Sequence, residues 1–222
     1  MDKYLAELIG IIIGDGFLDS CQNHYRIGIV GDPIKDRKYF DYVQALIKQV
    51  WKKEVTIRKN GRGIRLVVNS KQAFFRLTLQ YGLPVGEGKS YRVIIPQEIF
   101  KNWNLAKNAI RDIADTDGSI FVANKPGSPN YPSIELNTNS PELAKQLKTL
   151  LSEHGFRVAN IWSYQSLNNS GKSFKVALNG HKNVCNWMKE IGFSNPVKKE
   201  KAERIISARS ASGLLKGRRL SA

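Results

Sequence analysis

Two aspartates in matched surroundings could carry the chemistry of this 222-residue chain. Asp15 lies in LIGIIIGDG at residues 8–16, and Asp117 lies in IRDIADTDG at residues 110–118. Each segment reads as an apolar helix ending in Asp-Gly. One such ending alone is a common helix C-terminal turn. Two of them, 102 positions apart, suggest more. Helices packed side by side would bring the two carboxylates together at one end. Close carboxylates repel, and a divalent cation that prefers oxygen ligands relieves the repulsion, Mg²⁺ being the usual choice. A metal held there can polarise a phosphodiester, activate water and stabilise a leaving alkoxide.

The helices that carry these acids must approach closely. Gly10 and Gly14 are four residues apart, hence on one helix face. Glycine inside a helix costs about 1 kcal/mol relative to alanine, and a tightly packed neighbour explains two on one stripe. The expected neighbour is the helix ending at Asp117, with its small Ala114 and Thr116. The segments that follow repeat in the same order. RIGIVGD at 26–32 resembles SIELNTN at 133–139, and both alternate as half-buried strands do. Each precedes a proline and a helical pattern, FDYVQALIKQVW in one case and PELAKQLKTLLSEHGF in the other. RLVVN at 65–69 matches KVALN at 175–179, and QYGLPVGEGK at 80–89 matches EIGFSNPVKK at 190–199.

This order predicts an α+β chain of two pseudo-symmetric αββαββα halves, residues 1–103 and 104–210, with 211–222 a basic flexible tail. Strands are expected near 17–30 and 54–69, and helices near 3–14, 35–51 and 70–81. The second half should place strands near 119–138 and 157–179, and helices near 105–116, 141–154, 181–191 and 198–210.

The two Asp-Gly segments resemble the motifs of LAGLIDADG homing endonucleases of the monomeric, two-repeat, intron-encoded kind. The shared element order extends the resemblance over essentially the whole chain. It implies motif helices at the interface between halves and saddle-shaped antiparallel sheets in the DNA major groove. It further implies hydrolysis of both strands of a long asymmetric target, and the biology of intron homing. Carried onto this chain, Asp15 and Asp117 are the catalytic, metal-binding acids. The carbonyls of Gly14 and Thr116 are further ligands, and Mg²⁺ or Mn²⁺ is the cofactor. The family also has a basic residue near the scissile phosphate in each half. The matching positions are Lys89 and, in NPVKK, Lys198, with Lys199 close behind. Such a lysine orients the attacking water or neutralises developing charge; a solvated surface lysine is the alternative for each. The second motif departs from the first at Asp112, which stands where the first has Gly10. A carboxylate there must be exposed, paired or accommodated by a looser crossing. Asp115, two residues before Asp117, is expected to point elsewhere.

Composition agrees with a nucleic-acid partner. Lys and Arg total 35 against 19 Asp and Glu, a net charge of +16, and a protein this basic usually meets a polyanion. Residues 1–103 carry 17 basic and 10 acidic side chains, and residues 104–222 carry 18 and 9, so both halves are equipped. Double-stranded DNA is the expected partner, with intron RNA as an alternative. The outer strand faces would offer Arg26, Arg58, Arg62 and Arg65, then Lys125, Asn137, Gln165, Lys172 and Lys175. Arg and Lys suit guanine edges, Asn and Gln adenine. Trp51, Trp103, Trp162 and Trp187 form no evident stacking platform and read mostly as core. The isolated Cys21 and Cys185 give no zinc spacing. Neither a signal peptide nor a membrane segment is read. The expectation is a monomer in the cytoplasm, or wherever the host genome resides.

A non-catalytic DNA- or RNA-binding protein on the same fold, such as a splicing maturase, is the second reading. Retention of both aspartates argues against it, and Asp112 argues for it. Binding by surface charge alone explains the composition and leaves the duplication unexplained.

Overall fold

The computed structural model describes residues 1–125, 128–165 and 171–218, apart from the side chains of Lys125, Ser128, Pro129 and residues 209–218. The chain opens with α1 (Lys3–Ile13), capped by the Asp2 carboxylate, which accepts from the Leu5 N–H at 2.9 Å. Residues 5 to 13 of this helix are all buried. Its β-branched Ile run has modest helix propensity, so burial on every side holds it helical. Then follow β1 (Gly16–Cys21), β2 (His24–Gly31), α2 (Arg37–Trp51), β3 (Arg58–Asn60), β4 (Gly63–Asn69) and α3 (Lys71–Phe75), which continues as a π-helical turn over Arg76–Gln80. Two short helices, α4 (Lys89–Arg92) and α5 (Gln97–Phe100), lead into the second half.

There α6 (Trp103–Asp117) starts at Asn102, whose side chain accepts from the Asn104 N–H at 3.0 Å. It is followed by β5 (Gly118–Lys125), β6 (Ser128–Thr138), α7 (Pro141–Glu153), β7 (Trp162–Gln165), β8 (Lys172–Asn179), α8 (His181–Glu190) and α9 (Pro196–Arg218). Ser140 caps α7 and Pro141 occupies its first turn, where a missing N–H costs nothing. α9 is helical through Arg218, so the flexible tail expected from 211 is helix as far as 218.

Each half builds a four-stranded antiparallel sheet, ordered β1-β2-β4-β3 and β5-β6-β8-β7. The registers are equivalent. Gly16 pairs with Ile29 as Gly118 pairs with Leu136, and Val30 pairs with Arg65 as Asn137 pairs with Lys175. Arg58 pairs with Arg65 as Trp162 pairs with Lys175. On each sheet one face is apolar and packed on helices: Ile27, Ile29, Ile64, Leu66 and Val68 in the first, Ile120, Ile134, Leu136, Val176 and Leu178 in the second. Strand alternation leaves the opposite face free.

α1 and α6 pack side by side between the halves, and because Gly10 meets Ala109 while Gly14 meets Thr116 they run in the same direction. Gly10 is the reason they can approach. A Cβ there would come within 2.9 Å of Ala109 Cα and overlap the Ala109 carbonyl oxygen. Ala109 is therefore the small residue opposite Gly10. Gly14 meets Thr116, as expected; a Cβ on Gly14 would come within 2.7 Å of Thr116 Cβ.

Candidate active site at the ends of the paired helices

The C-terminal ends of α1 and α6 emerge together, which sets Asp15 and Asp117 at one end of the interface. The position of a Cβ on Gly14 lies 3.3 Å from Asp117 Oδ2, so the second aspartate reaches across to the first motif. Burial raises the Asp15 carboxyl to about 7, and the nearby charges of Asp117 and Asp36 push the same way. Lost hydration in the crowded cleft raises Asp117 to about 6, against the pull of Lys89 and Lys198. Asp117 nonetheless keeps one side open to water. Desolvation thus outweighs the pull of the two nearby ammoniums on both carboxyls.

Lys89 and Lys198 occupy the site in the same unexpected way. The Lys89 ammonium donates to the carbonyls of Ile12 (2.7 Å), Gly14 (2.8 Å) and Gly16 (2.7 Å). Lys198 donates to those of Ala114 (2.8 Å), Asp115 (2.7 Å), Thr116 (3.4 Å) and Gly118 (2.6 Å). Each lysine closes the C-terminus of its own half's motif helix, where orphan carbonyls and the negative end of the helix dipole favour a cation. Burial draws the Lys89 ammonium down to about 8 and lowers Lys198 as well. Neither ammonium projects freely toward a phosphate, which is the role given to it from sequence.

Asp112 is fully buried and paired. Its carboxylate accepts from the Tyr39 hydroxyl at 3.1 Å and lies 3.4 Å from Arg111 Nη2. Arg111 also binds Glu7 Oε1 at 2.7 Å, and Glu7 Oε2 accepts from the Tyr42 hydroxyl at 2.5 Å. Burial raises the Asp112 carboxyl strongly despite Arg111. Asp115 turns away from Asp117, as expected, and accepts from the Ser194 N–H at 2.7 Å. It anchors the segment that delivers Lys198.

A cleft of about 200 Å³ opens beside Asp117, lined by Gly14, Ser90, Asn137, Asn139, Tyr164 and Ser173 among others. Asn137 lies here with its side-chain oxygen buried and, among the described residues, without a hydrogen-bond partner. Ser173 donates to Asn139 Oδ1 at 2.7 Å. Ser90, Asn139, Tyr164, Ser173 and Asp36 were not singled out from sequence, because they come from segments whose convergence depends on the tertiary fold. The W-S-Y-Q alternation of β7 did hold a signal for Tyr164.

On the first sheet the free face carries Arg26, Arg58 and Arg65, whereas Arg62, expected on that face, lies in the β3–β4 turn. Arg26 pairs with Asp19 across the strands. On the second sheet Asn137 and Lys175 share the free face, and Lys175 binds Glu135 at 2.7 Å. Gln165 and Lys172 pair with each other and share the alternation of Phe174, Val176 and Leu178. They belong to the helix side of the sheet, at its end, and not to the free face as expected. The Lys125 side chain lies outside the described residues. Trp187 is core as expected, whereas Trp162 is 67% exposed on the free face. No helix among the described residues is long and apolar enough to cross a membrane. Cys21 and Cys185 are free and exposed.

Comparison with known proteins agrees with this geometry. Residues 105–192 match the family described as LAGLIDADG-like domain. The chain is 29% identical over 205 residues to the replication factor C small subunit of Methanocaldococcus jannaschii and 27% identical over 203 residues to that of Thermococcus kodakarensis. These alignments take in 92% and 91% of this chain, which spans only 10% and 21% of those proteins. Among solved structures, mesophilic variants of the homing endonuclease I-DmoI match with a TM-score of 0.59 at 17% identity, covering 85% of this chain and 94% of that one. I-DmoI in complex with DNA and Mn gives 0.57 at 17% identity over 85% and 96%. The LAGLIDADG homing endonuclease I-LtrWI bound to target DNA gives 0.58 at 15% identity over 94% and 91%. Full-length DUF199/WhiA from Thermatoga maritima gives 0.55 at 16% identity, over 99% of this chain and 67% of that one. Residues 105–192 thus form a LAGLIDADG-like domain, and the two halves together have the fold of the LAGLIDADG homing endonucleases.

Proposed function

We propose that this chain is a site-specific, metal-dependent DNA endonuclease that acts as a monomer and hydrolyses phosphodiesters on both strands of a long asymmetric target. The observation that carries the reading is the convergence of Asp15 and Asp117 at the ends of two packed helices, each end closed by an equivalent lysine. The I-DmoI complex with DNA and Mn supports a divalent cofactor. The donors here are all oxygens, two carboxylates and the carbonyls of Gly14 and Thr116, a set that hard cations such as Mg²⁺ and Mn²⁺ accept. Burial disfavours the charged form of both carboxyls, and a bound cation would relieve that penalty. Asp15, Asp117, Gly14 and Thr116 would hold the ion. Once bound, it would supply an acidified water and neutralise charge on the phosphate. The lysines hold the backbone that presents these donors, and the free sheet faces would hold the duplex on either side.

The test is cleavage of a duplex library with Mg²⁺ by the wild type, Asp15→Asn and Asp117→Asn. Cutting of a defined long site by the wild type, with binding but no cutting by both variants, is the expected result. Equal binding by all three with no cutting in Mg²⁺ or Mn²⁺ would overturn it. A second reading, a binder that does not cut, draws on the departure of the second motif, which has Asp112 where the first has Gly10. The same experiment decides between them.

A further inference from the structure

The equivalent registers of the two sheets permit a position-by-position comparison of their free faces, and the chemistry differs. On the first sheet Arg58 stands directly opposite Arg65. Like charges across a strand pair repel, and among the described residues neither arginine has an acidic partner. On the second sheet the same two positions hold Trp162 and Lys175. Lys175 is neutralised by Glu135, and Trp162 stands exposed with Tyr164, 38% exposed, two residues along the same face. One face therefore presents unbalanced guanidinium groups, and the other presents aromatic rings beside a neutralised cation.

Resting on the reading that duplex DNA lies across these faces, we propose that the two halves of the target differ in base composition in a fixed sense. The half-site under the first sheet carries guanines opposite Arg58 and Arg65. The half-site under the second sheet is richer in A·T pairs, read by apolar contact from Trp162 and Tyr164. The guanine major-groove edge offers two acceptors, N7 and O6, to a bidentate arginine, and this contact relieves the cross-strand repulsion. A neutral aromatic face has no such acceptor requirement and suits the thymine methyl group.

The experiment is selection of bound duplexes from a pool randomised over roughly two helical turns, in Ca²⁺ buffer, with wild type, Arg58→Ala, Arg65→Ala and Trp162→Ala. These side chains are exposed, and far-ultraviolet circular dichroism checks that each variant folds. Expected is a selected site with guanines enriched at defined positions of one half only. Each arginine variant should lose that base preference by about 10-fold at one position and leave the other half unchanged. Trp162→Ala should relax the opposite half. Guanine enrichment in both halves or in neither overturns the inference and leaves DNA binding standing. An arginine variant that weakens every sequence equally, as a phosphate contact would, also overturns it. Failure to retain any duplex overturns both this inference and the DNA reading.

Discussion

Lys89 and Lys198 are equivalent residues that close equivalent helix ends, the first on the carbonyls of Ile12, Gly14 and Gly16, the second on those of Ala114, Asp115, Thr116 and Gly118. The two-fold relation between the halves thus extends from the sheets to individual hydrogen bonds. An ammonium has three donors, and these carbonyls occupy them.

Removing either ammonium should consequently unfold more than it should weaken DNA contact. Lys89→Met and Lys198→Met each leave three or more backbone carbonyls short of a donor. Hydrogen bonds to a charged group are worth about 1.5–3 kcal/mol, so each variant should lose roughly 2–4 kcal/mol in denaturant unfolding. Arginine should not restore it, because a planar guanidinium cannot converge its donors as an ammonium does. A stability unchanged by Lys89→Met, together with weaker DNA binding, would mean that the side chain leaves these carbonyls and faces the phosphate.

Gly10 and Gly14 sit on the same stripe and should respond differently to alanine. The Cβ of Gly14→Ala would meet the Thr116 side chain, whereas that of Gly10→Ala would meet the Ala109 backbone. Overpacking costs typically about 1–3 kcal/mol, and a backbone obstacle cannot turn aside. Gly10→Ala should fall at or above the top of that range and Gly14→Ala within it. Thr116→Ala should recover part of the Gly14→Ala loss and none of the Gly10→Ala loss. A double-mutant cycle by chemical denaturation measures this, and equal recovery would disprove the assigned contacts.

Much of this architecture was legible in the chain. The helices at 3–14 and 105–116 were set by apolar runs ending in Asp-Gly, and the structure places them at Lys3–Ile13 and Trp103–Asp117. Local signals suffice when a cap, a breaker and a hydrophobic pattern agree. The face of Gln165 and Lys172 was misjudged: Lys172 and Lys175 are three apart on one strand, so alternation alone sets them on opposite faces, and Gln165 follows Lys172 through its pairing with it. Lys89 was picked out but its task was not, since its acceptors lie more than 70 positions away. The fate of Asp112 was likewise open, because Tyr39 comes from another helix in the other half.

That pairing makes a counter-intuitive prediction about the second motif. Asp112→Gly would make the second motif agree with the first at the position of Gly10, yet it should destabilise the protein. It strips the partner from the buried Tyr39 hydroxyl and a polar neighbour from Arg111, whose Nε meets no acceptor among the described residues. Leaving a buried donor unsatisfied costs about 1–3 kcal/mol, and a loss in that range is expected on denaturation. Asp112→Asn should cost less, because the amide can still meet the hydroxyl. Greater stability for Asp112→Gly would show that the network is dispensable.

The acid pair should also make the metal-free protein more stable as the pH falls. Asp15 titrates at about 7 and Asp117 at about 6, against an ordinary 3.8. Between pH 3.8 and 7 the folded chain keeps protons that the unfolded chain has released, so stability declines as pH rises through that window. Asp112 and Asp115, raised mainly by burial, slope the same way. The wild type without metal should therefore melt at a higher temperature at pH 5.5 than at pH 8. Asp15→Asn and Asp117→Asn should each raise the pH 8 melting temperature and flatten the slope, at the expense of cleavage. Mg²⁺ added at pH 8 should raise the wild-type melting temperature and leave the double variant unmoved, since a ligand stabilises only the state it binds. Equal Mg²⁺ response in the two proteins would place the cation elsewhere.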